Sequence, residues 1–539
     1  MPVAGEKHDV IIVGAGFSGL SMLHLLKKKG FKVLLLEGTD DIGGTWSQNR
    51  YPGVRTDCES RYYCSTLSDE VINEWDWSER YPEGKEVHKY LLYFAERLDL
   101  WPNIQLNSWV NKLKWNEEAK YWKVETASGN NYISGKVVLA AGLLQKASFP
   151  NIAGMNLFGG KLLHTSKWPK NNIELKNKKV GVIGVGSSGV QLIPSLAKDG
   201  ANVTVFQRTP NYVVPAVSEK LSAEEREAIR DAQHEIIENC KMHPFGVDML
   251  PPKGSYEELT ESEKDAILNE NWTKGGFHFL CRTFTDLNTN EEAAWYASKF
   301  IQRKIAEIVH DPVTAKTLTP TEYPVGTKRL STGIEFYESF NRPNVRLVDV
   351  KNNPIEKIDK SGVWVDGNHI SLDVLICATG FDALTGSIDA IEICGRKNLL
   401  LKEHWEQNNL DSFLGITVNG FPNLFMMLGP HTPAGNLAVI IQEQAKWIAH
   451  LLEWARSENI DVIESAQDDD QKWSQFSEKA VENTLLYRFS SKAKAWFFGY
   501  NVDGKKVRVN TFFGGLPTYL EKLAEAEKNK YGKFIPKKQ

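Results

Sequence analysis

A short pattern that the chain carries twice constrains it more than anything else. The run His8-Asp9-Val10-Ile11-Ile12-Val13 leads into Gly14-Ala15-Gly16-Phe17-Ser18-Gly19. An apolar helix pattern follows from Leu20 to Leu26, and Lys32-Val33-Leu34-Leu35-Leu36 closes the unit. Far downstream, Lys179-Val180-Gly181-Val182-Ile183 leads into Gly184-Val185-Gly186-Ser187-Ser188-Gly189. A helix pattern then runs through Leu192 to Leu196, and Val203-Thr204-Val205-Phe206 ends the second unit. In such a unit the first glycine makes the tight turn, the second lets a pyrophosphate approach the backbone, and the third allows close helix–strand packing. The helix N-terminus then faces the phosphate charge. Continuous apolar strands alternating with helices imply parallel sheets covered on both faces. The expected fold class is therefore α/β, with two Rossmann-like dinucleotide-binding domains.

The residue that ends each second strand separates the two sites by charge. The first unit ends in Glu37, eighteen residues past Gly19, where an acid binds ribose hydroxyls. The second ends in Gln207-Arg208 and has no acid. An acid there would repel a ribose 2′-phosphate, whereas an arginine clamps it with planar, charge-assisted bonds. The first site suits FAD and the second NADPH over NADH; the competing reading of Arg208 is a solvated surface residue. One site of each type implies electron transfer from a nicotinamide to a flavin.

Residues 218–322 differ in character. They are rich in Glu, Ala and Lys, with capping-box patterns at Ser222/Glu225 and Thr289/Glu292 and a helical stripe of Tyr296, Phe300, Ile301, Ile305 and Ile308. This stretch reads as a helical insertion in the NADP domain. The expected organisation is 1–148 for the first part of the FAD domain, 149–217 for the first part of the NADP domain and 218–322 for the insertion. Residues 323–380 then complete the NADP domain and 381–539 the FAD domain, ending in a lysine-rich tail. A net charge of −4 without a basic surplus argues against nucleic-acid binding. No apolar run approaches a membrane span, and the charged N-terminus does not read as a signal peptide. Six scattered cysteines, unlike a disulfide framework, fit a reduced, cytoplasmic protein; no obligate protein partner is expected.

The segment Phe158-Gly159-Gly160-Lys161-Leu162-Leu163-His164-Thr165-Ser166-Lys167-Trp168-Pro169 matches F-x-G-x-x-x-H-x-x-x-W-P throughout. In this it resembles the type I Baeyer–Villiger monooxygenases, with similarity to the cyclohexanone and phenylacetone monooxygenases. Further matching stretches are Gly44-Thr45-Trp46, Tyr51-Pro52-Gly53, Asp57, Tyr323-Pro324, Lys328-Arg329, Ala378-Thr379-Gly380, Leu428-Gly429-Pro430 and Trp496. Disulfide reductases of related layout need C-x4-C, but Cys58 and Cys64 have five residues between them, so they read as packed thiols.

The resemblance implies an NADPH- and dioxygen-dependent cycle in which a flavin C4a-peroxide attacks a ketone and a tetrahedral intermediate rearranges to an ester or lactone. It implies catalytic roles for Arg329 and Asp57, the arginine as a fixed cation and the carboxylate as its holder. FAD contacts are implied for Gly14, Gly16, Phe17, Ser18, Gly19, Glu37, Thr45, Trp46, Asp57, Tyr63, Val110 and Leu437. NADP contacts are implied for Arg55, Thr56, Gly184, Gly186, Ser187, Ser188, Gly189, Arg208, Thr209, Lys328, Arg329 and Trp496. Phe158, Gly160, His164, Trp168 and Pro169 form the fingerprint linker, where His164 is read as a hydrogen-bonding hinge in preference to a general base. Trp496 matches a tryptophan on a mobile loop, with a core tryptophan as the competing reading. Leu143, Leu144, Leu437 and Trp496 are expected at the substrate pocket. Gly84 and Leu143 stand where the phenylacetone branch has glutamines, which favours an apolar ketone. No metal is expected. Two other readings stay open at this point: a heteroatom (S/N) oxygenase, and a redox-sensing protein that holds both nucleotides without turnover.

Overall fold

The computed structural model describes residues 6–171 and 173–534. The first residues of the N-terminal segment and the end of the lysine-rich tail lie outside the described residues. Two sheets carry the two glycine units. The first has eight strands, running in the order Glu392–Cys394, Val110–Asn116, Tyr121–Thr126, Asn131–Leu139, Lys7–Val13, Val33–Leu36 and Ile104–Gln105, with Leu424–Met426 added beside Asn131–Leu139. Its centre is parallel, pairing Val10 with Val33 and Ile11 with Val137, while Tyr121–Thr126 runs antiparallel to both neighbours. The side-chain period of two splits these strands between two cores. Val10, Ile12, Val33 and Leu35 enter one cluster; Ile11, Val13, Leu34 and Leu36 enter the other. Both faces are covered, so the strands are apolar without alternation.

The second sheet is wholly parallel: Val345–Asp349, Asn202–Gln207, Lys179–Ile183, Val374–Cys377 and Lys161–His164. The fingerprint segment supplies the edge strand, with His164 paired to Cys377 at its end. Gly160 precedes that strand, where an added Cβ would meet Asp373 O at 2.3 Å. The chain passes between the sheets twice, after Leu139 and after Cys377, and Ser148 N donates to Gly380 O (2.9 Å) where the two passages run side by side.

Between Asn202–Gln207 and Val345–Asp349 lie the helices Ala223–Asp231, Gln233–Met242, Glu261–Lys274, His278–Cys281, Glu291–Ile308 and Pro312–Leu318. Two short strands, Val213–Pro215 and Ser331–Gly333, pair in parallel, so this helical stretch leaves and returns at one place. Ser222 and Glu225 form the expected capping box. Thr289 and Glu292 do not. Asn290 caps that helix instead, its side chain accepting from Glu292 N (3.0 Å) and Ala293 N (3.3 Å). Asn is as good a cap as Thr or better, and it stands one residue nearer the first helical turn. Two further capping boxes, Ser255/Glu258 and Thr260/Glu263, escaped the sequence reading. The stripe on Glu291–Ile308 buries Phe300, Ile301 and Ile305. Asn290→Ala should cost about 1 kcal/mol, visible as a melting midpoint lower by about 1–2 °C; an unchanged midpoint would remove the cap from the account. No helix among the described residues is long and apolar enough to cross a membrane.

Candidate active site between the two nucleotide folds

The two glycine turns have the same geometry. Gly14 sits at φ +103°, where a Cβ would meet Ala140 O at 2.5 Å, and a Cβ on Gly19 would lie 1.8 Å from Gly14 O. Gly184 sits at φ +105° with Ala378 O at 2.6 Å, and Gly189 would meet Gly184 O at 2.2 Å. Only glycine fits these four positions. A Cβ on Gly186 would meet nothing within 4 Å, so the backbone there faces open space. The helices Phe17–Lys28 and Ser187–Lys198 begin at these turns without side-chain caps, which leaves their first N–H groups directed outward.

Glu37 is buried, its Oε2 accepting from Ala15 N (2.7 Å) and its Oε1 from Thr39 N (2.9 Å). The acid thus braces the first turn from below. Gly44 approaches Gly16 closely, within 3.0 Å of its Cα for an added Cβ, and opens the short helix Thr45–Gln48. Phe17 and Trp46 both pack edge-on to Tyr63 at 5.7 Å. At the second turn Gln207 is buried and donates to Thr317 O (2.7 Å), while Arg208 points to solvent. Lys328 lies near it. Burial, then the charge of Arg208, pushes the Lys328 ammonium down to about 8. Neither cation pairs with a carboxylate among the described residues. Two neighbouring cations without an acid suit a phosphate.

Between the folds, Arg329 donates from Nη2 to Asp57, joining residues 272 apart in sequence. Burial opposes the guanidinium's charge, but Asp57 outweighs it and holds the pKa above its usual value. The guanidinium also lies over the Phe277 ring at 5.5 Å. Phe17, Trp46, Tyr63, Leu143, Phe277 and Leu437 come from distant parts of the sequence, yet all line the rim of one core. Leu144 is half-buried beside Leu143. Gly84 lies against the same wall, where a Cβ would meet Val54 at 3.0 Å and Trp46 at 3.4 Å.

Arg55 is already engaged, donating to Glu79 (3.2 Å), Tyr81 O (2.9 Å) and Ser218 (3.1 Å), and Thr56 beside it is buried. Ser187 Oγ lies 3.2 Å from Ser331 Oγ, two residues past Arg329. His164 is buried where the two passages between the sheets meet. Its Nδ1 accepts from Ser166 N (3.1 Å) and lies 2.8 Å from Ser166 Oγ, and its ring meets Phe149 at a tilt at 4.8 Å and Phe381 edge-on at 6.2 Å. Burial pushes its pKa down, which leaves the ring neutral at pH 7. Trp168 is buried in the second core and Pro169 is exposed. Trp496 is half-buried, packed at a tilt against Phe497 at 4.1 Å, whereas Phe498 takes the core position.

A family model for pyridine nucleotide-disulphide oxidoreductases matches residues 11–285. The cyclohexanone 1,2-monooxygenase of an Acinetobacter species is 37% identical over 98% of this chain and 96% of its own length. The phenazine N-monooxygenase of Lysobacter antibioticus is 37% identical over the same shares. The chain belongs to the Baeyer–Villiger monooxygenases. A solved structure titled as OTEMO in complex with FAD and NADP superposes with a TM-score of 0.94 at 31% identity, covering 99% of each chain.

Within this Baeyer–Villiger framework the structure adds residues that the sequence reading missed. Gln191, on the helix of the second turn, donates to Arg55 O (3.1 Å) and accepts from Tyr51 Oη (2.9 Å), fastening one fold to the other. Glu59, two residues from Asp57, is held by Arg80 (2.7 Å) and Arg61 (2.8 Å) and meets His278 at 3.3 Å. Burial raises the pKa of Glu59, but His278 and the two arginines outweigh it and bring it to about 2. The helical stretch is thereby pinned beside Phe277, which sets that ring under Arg329. No local pattern signals such partners.

Proposed function

We propose that the chain binds FAD at the first fold and NADPH at the second, and converts ketones to esters or lactones with dioxygen. The Arg329–Asp57 pair at the junction of the folds carries this reading. The cradle suits the flavin nucleotide: Gly14, Gly16 and Gly19 open the turn, Glu37 beside it would take the ribose, Thr45, Trp46, Tyr63 and Leu437 would flank the nucleotide, and Val110, its side chain buried, would contribute backbone only. Gly184, Gly186, Ser187, Ser188 and Gly189 would take the second pyrophosphate, with Arg208, Thr209 and Lys328 on the 2′-phosphate. Arg55 and Thr56 would support that side from behind.

Bound FAD supplies the redox chemistry that splits dioxygen between water and substrate. The chain's own part is electrostatic and spatial. Arg329 offers a cation that stays charged where negative charge develops on the carbonyl oxygen, and Asp57 fixes its direction. Leu143, Leu144, Leu437 and Trp496 keep water from the substrate, and their apolar surface favours a largely apolar ketone. His164, neutral and buried between the two passages, serves as a hinge between the folds.

The phenazine N-monooxygenase at equal identity makes heteroatom oxygenation the control reaction. Purified protein given NADPH and a panel of ketones and sulfides should form esters or lactones by gas chromatography. Sulfoxide without any ester would overturn the reading. The Lys328 ammonium adds a pH signature. It is charged below about 8 and loses its proton above, so the Michaelis constant for NADPH should rise as pH climbs past that value while that for NADH stays level. A flat NADPH profile between pH 7 and 9 would contradict it.

A further inference from the structure

Trp109 is large, apolar and 41% exposed. It has no ring partner, and its indole N–H has no acceptor among the described residues. Its root is nonetheless rigid. Glu37 N donates to Gln105 O (2.9 Å), Asn107 N to Thr39 O (2.8 Å), Ser108 N to Glu37 O (2.7 Å) and Ala127 N to Trp109 O (2.8 Å). The segment 105–109 is thus sewn to the end of the second strand of the first fold. The indole lies directly on Gly38, the residue after Glu37: a Cβ there would sit 2.2 Å from Cε3 and 3.0 Å from Cζ3 of Trp109. Gly38 does not need its glycine for a left-handed turn, so the absent side chain makes room for the ring. Val110, next in sequence, opens the strand and is buried in the core, whereas Trp109 stays outside it, lying on Gly38 beside Glu37 with much of its ring exposed.

We propose that Trp109 is the wall on which the adenine of FAD stacks. A fixed indole beside the acid placed for ribose hydroxyls lies where a dinucleotide carries its base, and an aromatic face binds a base by stacking. Gly38 sets the height of that wall. The inference rests on the first fold taking FAD and adds a positioning residue on the nucleotide's far end, away from the chemistry.

The test measures FAD affinity rather than turnover. Full-length protein freed of flavin is titrated with FAD by flavin fluorescence for the wild type, Trp109→Ala, Trp109→Leu and Trp109→Phe. Loss of one base–aromatic stack should raise the FAD dissociation constant about tenfold in the Ala and Leu variants, while Phe keeps it within about threefold of wild type. Leu restores bulk without a π-face, so a merely packing role would be rescued by Leu, and that result would overturn the proposal. Equal affinity in all four proteins would overturn it too. Gly38→Ala, which pushes the ring away, should weaken FAD in the wild-type background and add little to Trp109→Ala; full additivity would speak against the shared contact. A wild type that takes up no FAD would fail the functional reading itself, and Trp109's role would fall with it.

Discussion

Arg329→Ala is expected to lower ester formation by about 10²–10³-fold, the usual cost of removing one preorganised donor from a developing oxyanion. Bleaching of the flavin band by NADPH should be largely intact, because hydride transfer to the flavin develops no oxyanion for this cation to stabilise, even where Arg329 also touches the nucleotide. NADPH would still be consumed, with hydrogen peroxide released in place of ester. The structure sharpens the expectation for Arg329→Lys. Asp57 and the Phe277 ring hold a planar guanidinium from two sides, and a lysine reproduces neither the stack nor the fork. It should restore only a small part of the lost rate. Ester formation at more than a tenth of the wild-type rate in the alanine variant would remove Arg329 from the chemistry.

Arg208→Ala should raise the Michaelis constant for NADPH by about 10–100-fold, as expected for a lost charge-assisted bond to a phosphate, and leave that for NADH nearly unchanged. Arg208 is exposed and pairs with no carboxylate among the described residues, so little of the effect should pass through the fold. An unchanged melting midpoint would verify that. Equal effects on both nucleotides would mean that Arg208 is a solvated side chain and that NADPH preference arises elsewhere.

These expectations draw on different kinds of legibility. The glycine turns could be read directly, because a Cβ at Gly14, Gly19, Gly184 or Gly189 collides with backbone and leaves no choice of residue. The central parallel strands were equally plain, since strands buried on both faces are apolar without a break. The contrast between Glu37 and Arg208 followed from charge alone. Arg329 with Asp57 came from family resemblance and not from spacing, because nothing local relates residues 272 apart.

Where competing signals stood side by side, the nearer one won. Asn290 displaced Thr289 as the cap, one residue closer to the helix. The antiparallel pair Val110–Asn116 and Tyr121–Thr126 is harder to see in the sequence, since each alternating run is short and the first is broken by a register shift between Val110 and Lys112. Gln191, Glu59 and Phe277 could not be found locally, as each acts through a partner from another fold or helix.

The most direct test of oxygen insertion is isotopic. Purified protein, NADPH and a cyclic ketone under ¹⁸O₂ should yield a lactone two mass units heavier than the product made in air, with a single labelled oxygen. Lactone lacking the label, or uptake of label from H₂¹⁸O instead, would contradict the assignment.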